Sequence, residues 1–189
     1  MKRHSGYLEV IAGPMFSGKT EELIRQVKRA AIGKKRVQVF KHKVDTRYGR
    51  AKKVYSHAGI SFESELIGKS RDIIKNLNPK TEIIAIDEAQ WFGDSLVEVV
   101  EYLLKKGKKV LVAGLALTFD RQPFIPMPTL MTMADKVTKL SAICTICGDE
   151  AVYHKRITKT KIDPYIADPT LVGRLESYEA RCRRHFSKP

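Results

Sequence analysis

The chain is poor in cysteine, tryptophan and side-chain amides, and it has no long apolar run. Three cysteines are an odd number, so a fully paired disulfide framework is excluded and thiols or metal ligands remain. No apolar run approaches the ~20 residues of a membrane span. The first residues, MKRHSGYLEV, carry charge but no apolar signal core. The expectation is a cytoplasmic protein with no membrane partner. Two Asn and four Gln stand beside abundant Lys, Arg and Ile, a bias that heat-adapted proteins share. Acids are in the minority: 21 Asp+Glu against 35 Lys+Arg, a net charge of +14. Such a surface suits nucleic acid, or a soluble protein that attracts phosphorylated small molecules. The basic residues are dispersed, with short clusters at Arg25–Arg36, Lys105–Lys109 and Lys155–Lys161, which favours the second reading. At 189 residues there is room for one domain with a small appendage.

What is present is organised around Leu8 to Thr20, LEVIAGPMFSGKT. Gly13-x-x-x-x-Gly18-Lys19-Thr20 follows an apolar run, Tyr7 to Ala12, that reads as a buried strand. From Lys19, the spacing of Leu23, Ile24, Val27 and Ala30 or Ala31 predicts a helix that stops at Gly33. Strand, glycine loop and helix form a phosphate-binding loop. The glycines let the backbone close around a polyphosphate, and successive N–H groups point at the anion. In this pattern Lys19 reaches the β- and γ-phosphates and Thr20 offers its hydroxyl to Mg²⁺. Gly13, Pro14, Met15, Phe16, Ser17, Gly18, Lys19 and Thr20 are therefore expected to bind nucleotide.

Arg36 to Phe40 reads as a second strand. In the turn-like Asp45-Thr46-Arg47-Tyr48-Gly49, Arg47 is either a phosphate clamp or a solvated loop arginine. Val54 to Ile67 is hairpin-like, and Ser70 to Leu77 suits a short helix closed by Asn78-Pro79. In Glu82-Ile83-Ile84-Ala85-Ile86-Asp87-Glu88 a buried strand delivers Asp87 to its C-terminal end, where open α/β sheets bind ligands. Asp87 is placed to hold Mg²⁺, and Glu88, pointing another way, is free for a different role. Ser95 and Glu98 have capping-box spacing, and Leu96, Val99, Val100, Leu103 and Leu104 make an apolar stripe ending at Gly107. Lys109 to Leu115 is a further buried strand. The alternation predicts an α/β fold with a parallel sheet flanked by helices. The proline-rich run Leu117 to Met133 holds Phe119, Phe124, Met127, Met131 and Met133. These are either core under a loop or a wall for a flat apolar ligand.

The last third carries Cys144-x-x-Cys147 and Cys182-x-x-His185, two ligand pairs of the kind that build a tetrahedral zinc site. With all four positions filled by protein, a structural ion is the better reading. Ile157 to Ser177, between the pairs, is a long loop without strong pattern.

Taken together, GPMFSGKT, DTRY, IDEAQWF, the LxxxFxxxPF run Leu115–Phe124, the two ligand pairs and SYE before Cys182 resemble the type II thymidine kinases. The resemblance covers almost the whole chain. It implies transfer of the γ-phosphoryl of ATP to the 5′-hydroxyl of thymidine, with Mg²⁺ and a structural Zn²⁺. It implies a phosphate-loop kinase domain over 1–140 and a zinc-binding lasso domain over 141–189. By resemblance Glu88 is the catalytic base, and Arg47, Asp87 and Gln90 join the ATP and Mg²⁺ side. Met15, Trp91, Leu115, Phe119 and Phe124 line the thymine pocket, so the aromatic and Met-rich run reads as ligand wall more than core. Val172, Gly173 and Tyr178 belong to the lasso. A homotetramer, feedback inhibition by thymidine triphosphate and no nucleic-acid partner are also implied. Ala116 stands where the family pattern has an acid, and Trp91 where Phe is common. The rival class is a nucleic-acid motor or binding module: Asp87-Glu88-Ala89-Gln90 resembles a helicase motif, but the chain is too short for paired ATPase domains.

Overall fold

The computed structural model describes residues 5–44, 53–55, 61–157 and 178–186. Arg47, Val172 and Gly173 lie outside the described residues. In chain order the elements are β1 (Tyr7–Ala12), α1 (Lys19–Ile32), β2 (Val37–His42), β3 (Lys53–Tyr55), β4 (Ser61–Glu63), β5 (Glu65–Ile67) and α2 (Arg71–Asn76). There follow β6 (Ile83–Asp87), a 3₁₀ turn (Ala89–Phe92), α3 (Ser95–Lys105), β7 (Lys109–Gly114), α4 (Met127–Met133) and β8 (Lys136–Lys139). The chain then runs through four short strands, β9 (Ala142–Ile143), β10 (Glu150–Ala151), β11 (Tyr153–Arg156) and β12 (Tyr178–Arg181).

Six strands form one sheet in the order β5-β2-β6-β7-β1-β8, and every pairing in it is parallel. The expected α/β architecture is therefore present. Parallel strands need crossovers, and α1 to α4 supply four of the five, while β2 reaches β5 by way of β3 and β4. One face packs Ile11, Val39, Ala85, Leu111 and Ala113 against Leu23, Ile24 and Val27 of α1. The other packs Val10, Phe40, Ile84, Ile86 and Val112 against Ile73 of α2, Leu96, Val100 and Leu103 of α3, and Leu130 of α4. Burial on both faces is why the strands read as continuous apolar runs. All strand C-termini open on one edge, so the loops after β1, β6 and β7 converge there.

Three details depart from the sequence reading. Ser95 is not an N-cap: α3 starts at Ser95 itself, with Asp94 before it. The Ser95 hydroxyl instead pairs with that of Ser70 at 2.8 Å and donates to the Phe92 carbonyl, tying the starts of α2 and α3 together. Met127 is core rather than ligand wall. As α4 begins there, Met127 and Leu130 turn inward and are fully buried, while Met131 and Met133 pack against the same cluster. A Cβ on Gly114 would meet the Met127 sulfur at 2.7 Å, so the glycine admits this contact. The sixth strand, β8, was not anticipated from its polar sequence. Its Lys136 reaches the buried Glu9 of β1 at 2.8 Å. Burial pushes the Glu9 carboxyl up, but Lys136, Gln26 and Lys109 outweigh it and hold it below its usual range.

Candidate active site

The loop from Gly13 to Thr20 joins β1 to α1. Gly18 sits at a φ of 76° and Phe16 at 67°, left-handed positions that fold the chain back over itself. At Gly13 a Cβ would lie 2.5 Å from the Ser17 hydroxyl and 2.8 Å from the Leu140 carbonyl, so only glycine allows this closure. Lys19 Nζ donates to the Pro14 carbonyl at 2.6 Å, and Ser17 Oγ does so at 2.8 Å. The lysine is thus folded across the concave side of the loop, where an anion's oxygens would compete for it. Met15 is half-buried and Phe16 more open.

Across β7, β6 delivers Asp87 to the same edge. The Thr20 hydroxyl lies 3.3 Å and 3.4 Å from the two Asp87 oxygens. A hydroxyl facing a carboxylate beside a phosphate loop is the oxygen donor set that suits Mg²⁺. Asp87 also accepts the Glu88 N–H at 3.0 Å. Glu88 itself takes a left-handed conformation, with φ of 53°. Gln90 donates to Glu88 Oε2 at 2.6 Å and accepts the Leu115 N–H at 3.0 Å. Expected on the phosphate side, Gln90 has both ends of its amide on Glu88 and on the loop after β7. Asp87, Glu88 and Gln90 are all buried.

Two of the five expected base-wall residues meet directly. Trp91 packs edge-on against Phe124, ring centroids 5.5 Å apart at 84°. Leu115 is joined to Glu88 through Gln90. Phe119 lies under the Arg156 guanidinium at 5.6 Å. Beside the phosphate loop is a cavity of about 440 Å³ with Gly13, Pro14, Ala116, Pro123, Met131 and His154 in its wall. His154 is a residue that sequence reasoning missed. It lies outside every motif, and its only signal was a histidine in a strand-like stretch close to the cysteines. It is buried, and its ring meets Tyr178 at 5.9 Å. Burial, reinforced by the charge of Lys19, pushes its pKa down to about 3. The imidazole is therefore neutral at ordinary pH.

Cys144, Cys147, Cys182 and His185 converge, with their ligand atoms within 4.8 Å of one another. The Cys147–Cys182 sulfurs are 3.7 Å apart, and His185 Nδ1 lies 3.4 Å and 3.8 Å from the sulfurs of Cys182 and Cys144. Tetrahedral bonds of about 2.3 Å to sulfur and 2.0–2.1 Å to nitrogen put ligand atoms roughly 3.5–3.8 Å apart. The donor set fits structural zinc. Burial pushes the Cys144 thiol up, but N–H donors at Cys182, Cys147 and Ile146 outweigh it and hold it at about 5. The site is built on two hairpin halves: β9 pairs with β10, and β11 with β12.

A family model described as thymidine kinase matches residues 6–186. Among solved structures, domain III of the Thermotoga maritima replication initiation protein DnaA aligns at 17% identity with a TM-score of 0.43. That match covers 75% of this chain and 57% of the other, so the chain spans little more than half of that structure.

Proposed function

The chain belongs to the thymidine kinase family, and from that membership we propose that it transfers the γ-phosphoryl of ATP to the 5′-hydroxyl of thymidine, giving thymidine monophosphate and ADP. The observation that carries this reading is the pair Asp87–Glu88. One carboxylate faces Thr20 of the phosphate loop, and its neighbour is buried and held by Gln90.

Phosphoryl transfer depends on positioning and charge neutralisation more than on covalent chemistry. The amides of residues 13–20 and the Lys19 ammonium bind the triphosphate. Thr20 and Asp87 would hold Mg²⁺, which supplies charge neutralisation at the phosphate oxygens. Glu88 orients the 5′-hydroxyl and accepts its proton as the oxygen bonds to the γ-phosphorus and the bond to ADP breaks. Leu115, Phe119, Phe124, Trp91 and Met15 flank the base, and Tyr178 closes the site beside His154. The lasso with Val172 and Gly173 covers the nucleoside and excludes water. The zinc unit over 141–189 anchors that lasso to the kinase domain over 1–140. Arg47 clamps phosphate. The family resemblance extends the proposal to a cytoplasmic homotetramer inhibited by thymidine triphosphate. Sedimentation across working concentrations and inhibition assays with that nucleotide test both, and a strict monomer or an insensitive enzyme would remove them.

Glu88→Gln tests the mechanism. Turnover should fall by about 10²–10⁴-fold with ATP binding retained. Turnover near that of the wild type would remove Glu88 as the base.

A further inference from the structure

The hairpin after β7 lies outside both core clusters, yet it carries Phe119 and leads into Phe124. It is tightly turned. Leu117 bridges to Pro123, the Thr118 hydroxyl accepts the Gln122 N–H at 3.0 Å, and Arg121 takes a φ of 68°. Arg121 ends a three-residue hairpin loop, the position that takes the left-handed conformation, and its N–H donates to the Thr118 carbonyl at 3.1 Å. Its side chain leaves the hairpin for aromatic rings of the zinc unit. The Arg121 guanidinium lies 4.9 Å from the Phe186 ring and 5.7 Å from that of Tyr153. In return the zinc unit lends a cation to the hairpin: Arg156 of β11 sits 5.6 Å from the Phe119 ring.

The exchange is rooted in the metal ligands. Phe186 follows His185 directly and packs on Tyr153 at 5.1 Å. Arg183, between Cys182 and His185, donates to the Tyr153 hydroxyl at 2.6 Å and lies 5.5 Å from its ring. Tyr153 thus has guanidinium contacts from both the hairpin and the zinc unit. Whatever fixes the Cys182–His185 turn fixes Phe186 and Tyr153, and through them Arg121.

We propose that Arg121 and Arg156 are positioning residues that hold Phe119 and Phe124 against the nucleoside, so that metal occupancy at Cys144, Cys147, Cys182 and His185 sets the shape of the base pocket. The inference rests on the nucleoside reading of Phe119 and Phe124. A planar guanidinium stacked on a ring is directional in a way that an ammonium is not. Lysine therefore keeps the charge and loses the plane.

The chain supplies its own reporter. Its one tryptophan, Trp91, packs edge-on against Phe124. Arg121→Met, Arg156→Met and the double variant would be compared with the corresponding Lys variants. The readouts are zinc content, thermal midpoint, Trp91 emission without ligand, and calorimetric affinity for thymidine and for ATP. The double variant should retain its zinc and show red-shifted Trp91 emission. It should bind thymidine roughly tenfold more weakly, within the span of two cation–π contacts, with ATP affinity within about twofold of the wild type. The Lys variants should be intermediate. Chelation should shift Trp91 emission in the wild type and add little in the double variant, because both act through one connection. Unchanged thymidine affinity with unchanged emission would overturn the proposal, as would equal losses for ATP and thymidine. If the double variant loses zinc, the single variants that retain it decide by the same criteria. A wild-type chain that binds no thymidine would remove the nucleoside reading, while the ligand-free Trp91 shift still judges the arginine connection on its own.

Discussion

The amide nitrogen of Gln90 lies 2.6 Å from the Glu88 carboxylate, and its oxygen 3.0 Å from the Leu115 N–H. One buried side chain therefore fixes both the carboxylate after β6 and the start of the loop after β7. Gln90→Leu removes both bonds and leaves Glu88 and the Leu115 N–H without that partner. A buried polar group stripped of its partner costs about 1–3 kcal/mol. Turnover should fall by roughly tenfold or more while the Michaelis constant for ATP moves little, because the phosphate loop is untouched. Steady-state kinetics with both substrates checks this. A rise in the ATP constant with unchanged turnover would place Gln90 on the phosphate side instead.

The zinc site gives the second prediction. Metal analysis should find about one zinc per chain. Cys144→Ser or chelation should weaken thymidine binding more than ATP binding, since the ligand pairs flank the segment that leads to Tyr178. Full activity in metal-free protein would contradict it.

His154 gives the third. Its imidazole is held neutral at about 3 by burial and Lys19, against 6.5 for an ordinary histidine. Between those values the unfolded chain binds a proton that the folded chain does not. Stability is therefore complete above about pH 6.5 and is lost as the pH falls toward 3. His154→Gln should flatten that acid limb in thermal denaturation from pH 7 to 4. An unchanged slope would mean that other groups set it.

Much of this site could be read from the chain because its parts are local. Gly13 to Thr20 is one contiguous loop, and the run Ile83–Asp87 ends where its last acid must emerge. The two cysteine-containing pairs each sit on one turn. What could not be read depends on distant packing. Met127 and Phe124 look alike as apolar residues near prolines, and only the turn of α4 sends one into the core. Strand β8 is polar because it lies at the sheet edge, so no apolar run announced it. Ser95 had the spacing of a cap, but the helix begins a residue too early for that role. His154 and Arg121 carry no motif, since their roles come from Lys19, Phe186 and Tyr153, far away in the sequence.

The most direct measurement is label transfer from [γ-³²P]ATP with thymidine, deoxycytidine and single-stranded DNA offered in parallel. The expected products are labelled thymidine monophosphate and far less labelled deoxycytidine monophosphate, with no phosphate release stimulated by DNA. DNA-stimulated release of inorganic phosphate, with no labelled thymidine monophosphate, would contradict it.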